Sequence, residues 1–158
     1  MQKGFATIEI IFVIVIIAVL VTVAVPNAAR IIDRVALDYE TKRLYSELRY
    51  LQAISRVKEL KKTGTGREEA ANETTTLMEI QPIVREYQIL RNEIPITEKH
   101  KMLPNIKSLT TPERQISFDN NGKANITSKS IVLTSRFGKP NKIVFDSVGR
   151  IRGGRDDD

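Results

Sequence analysis

The chain has 158 residues, enough for one domain and an anchoring segment, and its formal net charge is +6, a modest basic excess. It contains no cysteine, which excludes disulfides, thiol nucleophiles and thiolate metal sites. Its single histidine, His100, excludes metal centres built on pairs of imidazoles. Outside the apolar N-terminus the chain is polar and rich in charge, as is typical of a soluble domain.

The N-terminus carries an almost unbroken apolar run over residues 10–25, preceded by Glu9 and followed by Pro26. A helix over residues 5–25 is about 30 Å long at 1.5 Å per residue, which is enough to cross the hydrocarbon core of a bilayer. A carboxylate within such a helix costs roughly 2.5–3.5 kcal/mol on insertion scales. The sequence therefore predicts a membrane-spanning helix in which Glu9 has a partner and a function.

Three interpretations of this segment compete. A secretory signal peptide has a short apolar core followed by a cleavage site of small residues, whereas this longer run ends in Val25-Pro26-Asn27. A plain single-pass anchor accounts for the length and the hydropathy but leaves Gly4, Glu9 and Pro26 unexplained. The third interpretation follows from the motif at the start of the segment and accounts for all three residues.

That motif, Gly4-Phe5-Ala6-Thr7-Ile8-Glu9 before an apolar helix, resembles the class III leader of type IV pilins and type II secretion pseudopilins. The family pattern is a short charged leader ending in glycine, then a hydrophobic residue, and a glutamate four residues further on. The resemblance implies that prepilin peptidase cuts between Gly4 and Phe5 on the cytoplasmic face and N-methylates the new Phe5 amine. Residues 1–4 are then the leader, and residues 5–26 form the transmembrane and assembly helix.

The cost of Glu9 in lipid is offset if a neighbouring subunit brings its positive N-terminal amine close to the carboxylate in a medium of low dielectric. Such an ion pair sets the axial register between subunits. The alternative is that Glu9, near the start of the helix, reaches the headgroups by itself.

Pro26 removes one backbone hydrogen bond, to the carbonyl of Thr22. We expect a kink there rather than the end of the helix, because the helical pattern resumes at once.

Residues 27–60 contain no glycine or proline and carry apolar residues at a spacing of three to four, which predicts an amphipathic continuation of the helix. We expect its apolar stripe to cover a β-sheet. Residues 61–76 are predicted to be a polar linker loop, and its glycines lack the preceding strand and the Gly-Lys-Ser/Thr ending of a phosphate-binding loop. The apolar stripe of the helical continuation over residues 27–60 consists of Ile31, Val35, Leu44, Leu48, Leu51, Ile54 and Val57.

Residues 77–155 have the turn residues and the alternation of β-strands. Segments 116–124 and 143–151 repeat one pattern, a strand followed by an Asp-x-x-Gly turn and a basic returning strand. Pro95 and Pro104 make the stretch around them irregular or edge-like. The predicted fold is α+β, in which a long kinked N-terminal helix, transmembrane in its first half, packs on a small antiparallel β-sheet head.

This layout resembles one branch of the superfamily, the GspH/FimT-type minor pilins and pseudopilins. The resemblance rests on residues 48–56 late in the helix, on Met102-Leu103-Pro104, and on the two Phe-Asp-x-x-Gly turns. It implies a pilin fold and a structural subunit of a type IV pilus or a type II secretion pseudopilus. The implied partners are other pilin or pseudopilin subunits, prepilin peptidase, the inner-membrane assembly platform and lipid. The implied location is the bacterial inner membrane, with the head outside the cytoplasm.

No enzyme site is visible in the sequence, and we expect no catalytic residue, no cofactor and no metal. His100 lies between Lys99 and Lys101 in a polar stretch and is expected to be a solvated loop residue. Asp119 and Asp146 occupy turn positions, where aspartate hydrogen-bonds the local backbone.

Basic residues near the C-terminus define an alternative function, DNA binding during natural transformation. Gly149-Arg150-Ile151-Arg152 resembles the tail with which some FimT-type minor pilins bind DNA, and in a strand both arginines point the same way towards successive phosphates. A solvated basic rim is the other explanation, and the acidic tail, residues 156–158, competes for the arginines. The predicted set is Arg136, Lys139, Lys142, Arg150, Arg152 and Arg155.

Overall fold

The computed structural model describes residues 3–56, 60–62, 68–70, 75–138 and 140–155 of the chain. In this described part, one long helix precedes a set of antiparallel strands, so the predicted α+β class is confirmed. The elements are α1 (Lys3–Ser55), β1 (Leu60–Lys62), β2 (Glu68–Ala70), β3 (Thr76–Gln81), β4 (Glu86–Arg91), β5 (Ile94–Pro95), β6 (His100–Lys101), β7 (Ile106–Thr110), β8 (Gln115–Ser117), β9 (Ser130–Ser135), β10 (Asn141–Phe145) and β11 (Ile151–Arg155).

Helix α1 continues through Pro26, so the proline does not end the helix. Its 53 residues correspond to about 80 Å at 1.5 Å per residue. The helix ends at Ser55 rather than at residue 60, and the amide of Arg56 closes a tighter turn on the carbonyl of Ala53, at 3.3 Å. The amphipathic part is therefore shorter than predicted.

The predicted linker contains a small sheet of its own. Strands β1 and β2 pair in antiparallel register, which sets Lys61 opposite Glu69 and Lys62 opposite Glu68. The prediction of a plain loop over residues 61–76 was wrong for these strands, and the rest of the linker up to residue 74 lies outside the described residues.

The head contains two antiparallel sheets where the sequence predicted one. The first has the order β5-β4-β3-β8, with β6 also paired to β4, and the second has the order β11-β10-β9-β7. Strands β5 and β6 have two residues each and lie at an edge, as the prolines around them predict. Buried side chains from both sheets form one core with the helix, because side chains alternate in burial along β3, β4 and β9.

The buried face of α1 only partly follows the predicted stripe. Leu44, Leu48 and Leu51 are fully buried in the core, whereas Ile31 and Val35 are each 62% exposed. Val57 lies outside the described residues. The face that packs on the head begins instead with Asp33, Ala36, Leu37 and Glu40, so two acids occupy positions that the apolar pattern left to solvent.

Contacts along α1 show which end of the head is nearer to the apolar segment of the helix. The carboxylate of Asp33 accepts from the amide of Phe137, the carboxylate of Glu40 accepts from the amide of Leu103, and the side-chain amide of Gln52 donates to the carbonyl of Gly149. We call the part of the head bound between Asp33 and Glu40 the proximal end, since it is nearer to the apolar segment. The part bound by Gln52 is the distal end.

Two turns at the distal end have the same hydrogen bonds, which confirms the repeat at its turns. In each, the glycine amide donates to the aspartate carbonyl, at 2.8 Å in the first turn and 3.1 Å in the second. Gly122 and Gly149 have φ of +79° and +83°, a conformation that glycine adopts without strain. The returning strand of the first unit is reduced to a single bridge between Phe118 and Ala124.

Gln52 joins the two turns to the helix. Its Nε2 donates to the carbonyl oxygens of both Gly122 and Gly149, at 2.6 Å each. The turns also touch each other, because a Cβ added at Gly149 would lie 2.6 Å from the oxygen of Gly122. One amide group of the helix therefore satisfies two buried carbonyls that belong to two different hairpins.

Replacing Gln52 by alanine should lower the free energy of unfolding of the full chain by about 2 kcal/mol or more, because each buried carbonyl left without a donor costs about 1–3 kcal/mol. Urea denaturation in non-ionic detergent, followed by tyrosine fluorescence, measures the change. Lys42→Ala, at an exposed position of the same helix, is the matched control. Equal midpoints for the two variants would contradict the role of Gln52.

Candidate assembly helix and basic surface

The first part of α1 makes no core with the head. Its large apolar side chains between residues 8 and 25 are all exposed, from 49% at Val13 to 64% at Phe12. A helix that is apolar on every side is stable only in lipid or among other helices. This segment is long and apolar enough to span a membrane.

Glu9 lies in this exposed segment, and no basic residue follows it within the segment. Between Gly4 and Ala29 the sequence contains no lysine or arginine, and Arg30 is about 31 Å further along the helix at 1.5 Å per residue. Gly4 and Phe5 belong to α1 by their backbone. Residues 1 and 2 of the predicted leader lie outside the described residues.

Asp33 fastens the proximal end of the head to α1. Its carboxylate is only 1% exposed and accepts from the amide of Phe137, at 3.1 Å, and from the amide of Arg136, at 3.4 Å. Burial alone raises the pKa of Asp33, but hydrogen bonds from the Ser135 hydroxyl, these two amides and the Asn105 side chain outweigh it. The pKa of Asp33 therefore lies below its usual value.

His100 is not a solvated loop residue, and that prediction was wrong. It lies on β6, half-buried, with its Nε2 2.9 Å from Oε2 of the fully buried Glu40. The other carboxylate oxygen of Glu40 accepts from the amide of Leu103 at 3.0 Å, and the ring of Tyr87 stands edge-on to the imidazole. Lys99 and Lys101 on either side made the segment look solvated, because the partner that buries His100 is sixty residues away in sequence.

The basic residues predicted to bind DNA do not form one surface. Arg136 is at the proximal end beside Asp33, and Arg150 is at the distal end beside the turn that Gln52 holds. These two levels are about 28 Å apart along α1. Lys139 lies outside the described residues, and Arg155 is described only by its backbone, opposite Asn141 at the start of β10.

Two members of the set are close together. Arg150 and Arg152 are both exposed and flank the buried Ile151, the first residue of β11. The guanidinium of Arg152 is 3.6 Å from the carboxylate of Asp146, which partly neutralises it. Lys142 lies on the neighbouring strand β10. DNA binding stays a prediction, and the acidic tail at residues 156–158 lies outside the described residues.

The turn aspartates act on their own backbone. Oδ1 of Asp119 accepts from the amides of Asn121 and Lys123, at 2.9 and 2.7 Å, and Oδ1 of Asp146 accepts from the amide of Ser147 at 2.6 Å. These contacts are the ones that their turn positions predict. Within the described ranges, no group of three or more His, Cys, Asp or Glu side chains is placed to hold a metal ion.

Comparisons of this chain with protein-family models, with curated proteins and with solved structures found no match. The resemblance to the pilin superfamily therefore depends on the N-terminal motif and on the architecture. A long apolar N-terminal helix that continues into an antiparallel head is compatible with a pilin-like shape.

Replacing Asp33 by asparagine should lower the free energy of unfolding at pH 7 by about 1.5–3 kcal/mol, the range for hydrogen bonds to a charged group. Because the folded-state pKa of Asp33 is depressed, its contribution is complete above the usual pKa of 3.8 and is lost as the pH falls through the lower folded-state value. Urea denaturation in detergent at pH 7 and at pH 3 measures the effect, with the exposed Glu98→Gln as control. A difference between parent and Asp33→Asn that grew towards acid would contradict this account.

Proposed function

We propose that the chain is a prepilin-type structural subunit that joins a type IV pilus or a type II secretion pseudopilus. The observation that carries the proposal is the division of one helix into two parts. Its first part exposes apolar side chains on every side around a single acid, while its second part is bound by the head from Asp33 onwards. A free apolar helix fixed to a compact head is what a subunit needs to pack helix against helix with its neighbours.

Cleavage after Gly4 makes the N-terminus match this function. It removes Lys3 from the end of the helix and creates a positive amine at Phe5, four residues from Glu9. N-methylation of that amine retains its charge. The processed chain therefore carries one positive and one negative group in an otherwise apolar segment, and the partners are prepilin peptidase and the assembly platform of the inner membrane.

A comparison of interaction energies supports an ion pair between the N-terminal amine of one subunit and Glu9 of its neighbour. Inserting Glu9 costs roughly 2.5–3.5 kcal/mol, and a charge pair at 4 Å contributes about 4 kcal/mol at an effective dielectric constant of 20. Attraction between the amine of an incoming subunit and Glu9 of its neighbour is thus large enough to offset the cost. Subunits whose charges are out of register retain that cost, so the pair selects one axial offset.

Processing is the first expected outcome. Mass spectrometry of the protein extracted from bacterial membranes should find a chain that begins at N-methyl-Phe5, because Gly4-Phe5 has the form that prepilin peptidase cuts. A Gly4→Val variant should keep Met1, since the bulkier residue blocks cleavage at that bond. An intact Met1 end in the parent, or cleavage after the apolar helix, would overturn the proposal.

Assembly gives the second outcome. Glu9→Gln should stay in the membrane but enter sheared filaments at least tenfold less than the parent, because the neutral amide loses the ion pair. Quantitative immunoblotting of the filament and membrane fractions measures the ratio. Thr22→Ala is the control, since the Thr22 hydroxyl donates to its own helix at the carbonyl of Ala18, 2.7 Å away. Incorporation of Glu9→Gln at the parental level would rule out the pair.

A further inference from the structure

The proximal end of the head exposes apolar side chains from three different segments. Phe137, in the turn between β9 and β10, is 63% exposed, and Ile83, in the turn between β3 and β4, is 88% exposed. Leu103, in the loop after β6, is exposed as well. Of these, Phe137 lies nearest the apolar helix, because it is bound at Asp33, whereas Leu103 is bound at Glu40, about 10 Å further along the helix axis.

Each of these segments is fixed in place by hydrogen bonds. The amide of Phe137 donates to Asp33, and the amide of Leu103 donates to Glu40. The turn that carries Ile83 is tied to the loop after β6, because the carbonyl of Arg85 accepts from the amide of Met102 at 3.0 Å. The apolar side chains are therefore presented by a rigid surface.

The height of this surface above the apolar segment follows from the helix. Asp33 is seven residues beyond Pro26, which is about 10 Å along the axis. The headgroup region extends about 5–8 Å beyond the hydrocarbon core on each side. When the apolar segment occupies the core, Asp33 and the Phe137 amide bound to it lie about 2–5 Å beyond the headgroups. The Phe137 side chain spans that gap if it is directed towards the membrane, and a usual helix tilt of about 20° lowers one side of the head further.

The charges at this level favour an anionic partner. Arg30 and Arg34 are exposed on α1, and the side chain of Arg136 is exposed beside Phe137. The helix acids of the proximal end do not oppose them at the surface, because Asp33 and Glu40 are buried and hydrogen-bonded within the head. Basic residues close to an anionic membrane each favour contact about fivefold.

We propose that the proximal end of the head binds the surface of an anionic lipid bilayer, with Phe137 in contact with the headgroups and Arg34 and Arg136 on lipid phosphates. The inference rests on the proposed membrane anchoring of the same chain. Lipid contact holds the head against the membrane beside its own helix, and extraction of the subunit into a filament must break that contact. The partner is the lipid surface rather than a second copy, since the surface is continuous with the spanning segment.

The chain has no tryptophan, so a single introduced one reports on its own surroundings. Full-length Phe137→Trp is reconstituted at low density in vesicles of phosphatidylglycerol and phosphatidylcholine, with brominated lipids as quenchers. Full-length Val148→Trp is the matched control, because Val148 is 66% exposed but lies in the turn of the distal end. We expect emission at shorter wavelength and strong quenching for Phe137→Trp, and emission as in water for Val148→Trp.

Flotation of the vesicles distinguishes failure of the membrane anchor from failure of lipid binding by the head. Protein that floats while Phe137→Trp emits as in water overturns lipid binding by the head and leaves the anchor intact, whereas protein that does not float overturns both. A shift that grows with the ratio of protein to lipid identifies a second copy as the partner and also overturns the proposal. Emission and quenching that are independent of this ratio support it.

The charge dependence gives a separate readout. Adding Arg34→Gln and Arg136→Gln to the Phe137→Trp chain should reduce the quenched population about fivefold or more in anionic vesicles and should change little in pure phosphatidylcholine. Arg152→Gln, at the distal half of the head, is the control and should have no effect. Equal quenching with and without the two proximal arginines would overturn their contact with phosphate.

Discussion

The head is held on helix α1 by buried polar side chains, and the rest of the molecule depends on the register they set. Leu44, Leu48 and Leu51 supply the apolar contact, but leucines at this spacing allow the head to slide by one helical turn, about 5.4 Å, with similar burial. Gln52 and Asp33 prevent this sliding, because their hydrogen bonds to the head are made in one register only. A shift would leave two glycine carbonyls and two backbone amides without partners, and each loss costs about 1–3 kcal/mol.

The register of the head on the helix matters to the proposed assembly, because the same helix carries Glu9, the proposed contact with a neighbouring subunit. Glu9 is fixed on the same helix as Asp33, so the distance from the acid in the apolar segment to the underside of the head is set by helical geometry. Pro26 is the one position between them where a backbone hydrogen bond is missing. A bend at Pro26 can change the angle between the two parts of the helix, whereas the polar anchors keep the head in place on the second part.

The sequence predicts those features of the fold that depend on residues close together in the chain. The apolar segment, the Asp-x-x-Gly turns and the edge strands near Pro95 follow from hydropathy, from turn chemistry and from the missing proline donor. Burial of Asp33, Glu40 and His100 could not be predicted, because acids and a histidine between lysines are typical of a surface unless a distant partner satisfies them. The second sheet was missed for the same reason, since it depends on pairing between strands that are far apart in sequence, such as β7 and β9.

Charge shows the same difference between neighbours in sequence and neighbours in space. The basic residues from Arg136 to Arg155 are close in sequence, but the β10–β11 hairpin runs to the distal end and back, so it distributes them over both ends of the head. Asp33 and Arg136 are 103 residues apart in sequence, yet the Asp33 carboxylate binds the Arg136 amide and so brings that arginine to the level of the helix that carries Arg34. The cost of leaving Asp33 unsatisfied thus fixes which cations share a surface. That surface is the one nearest the apolar helix, and it is the surface through which we propose that the head binds an anionic bilayer.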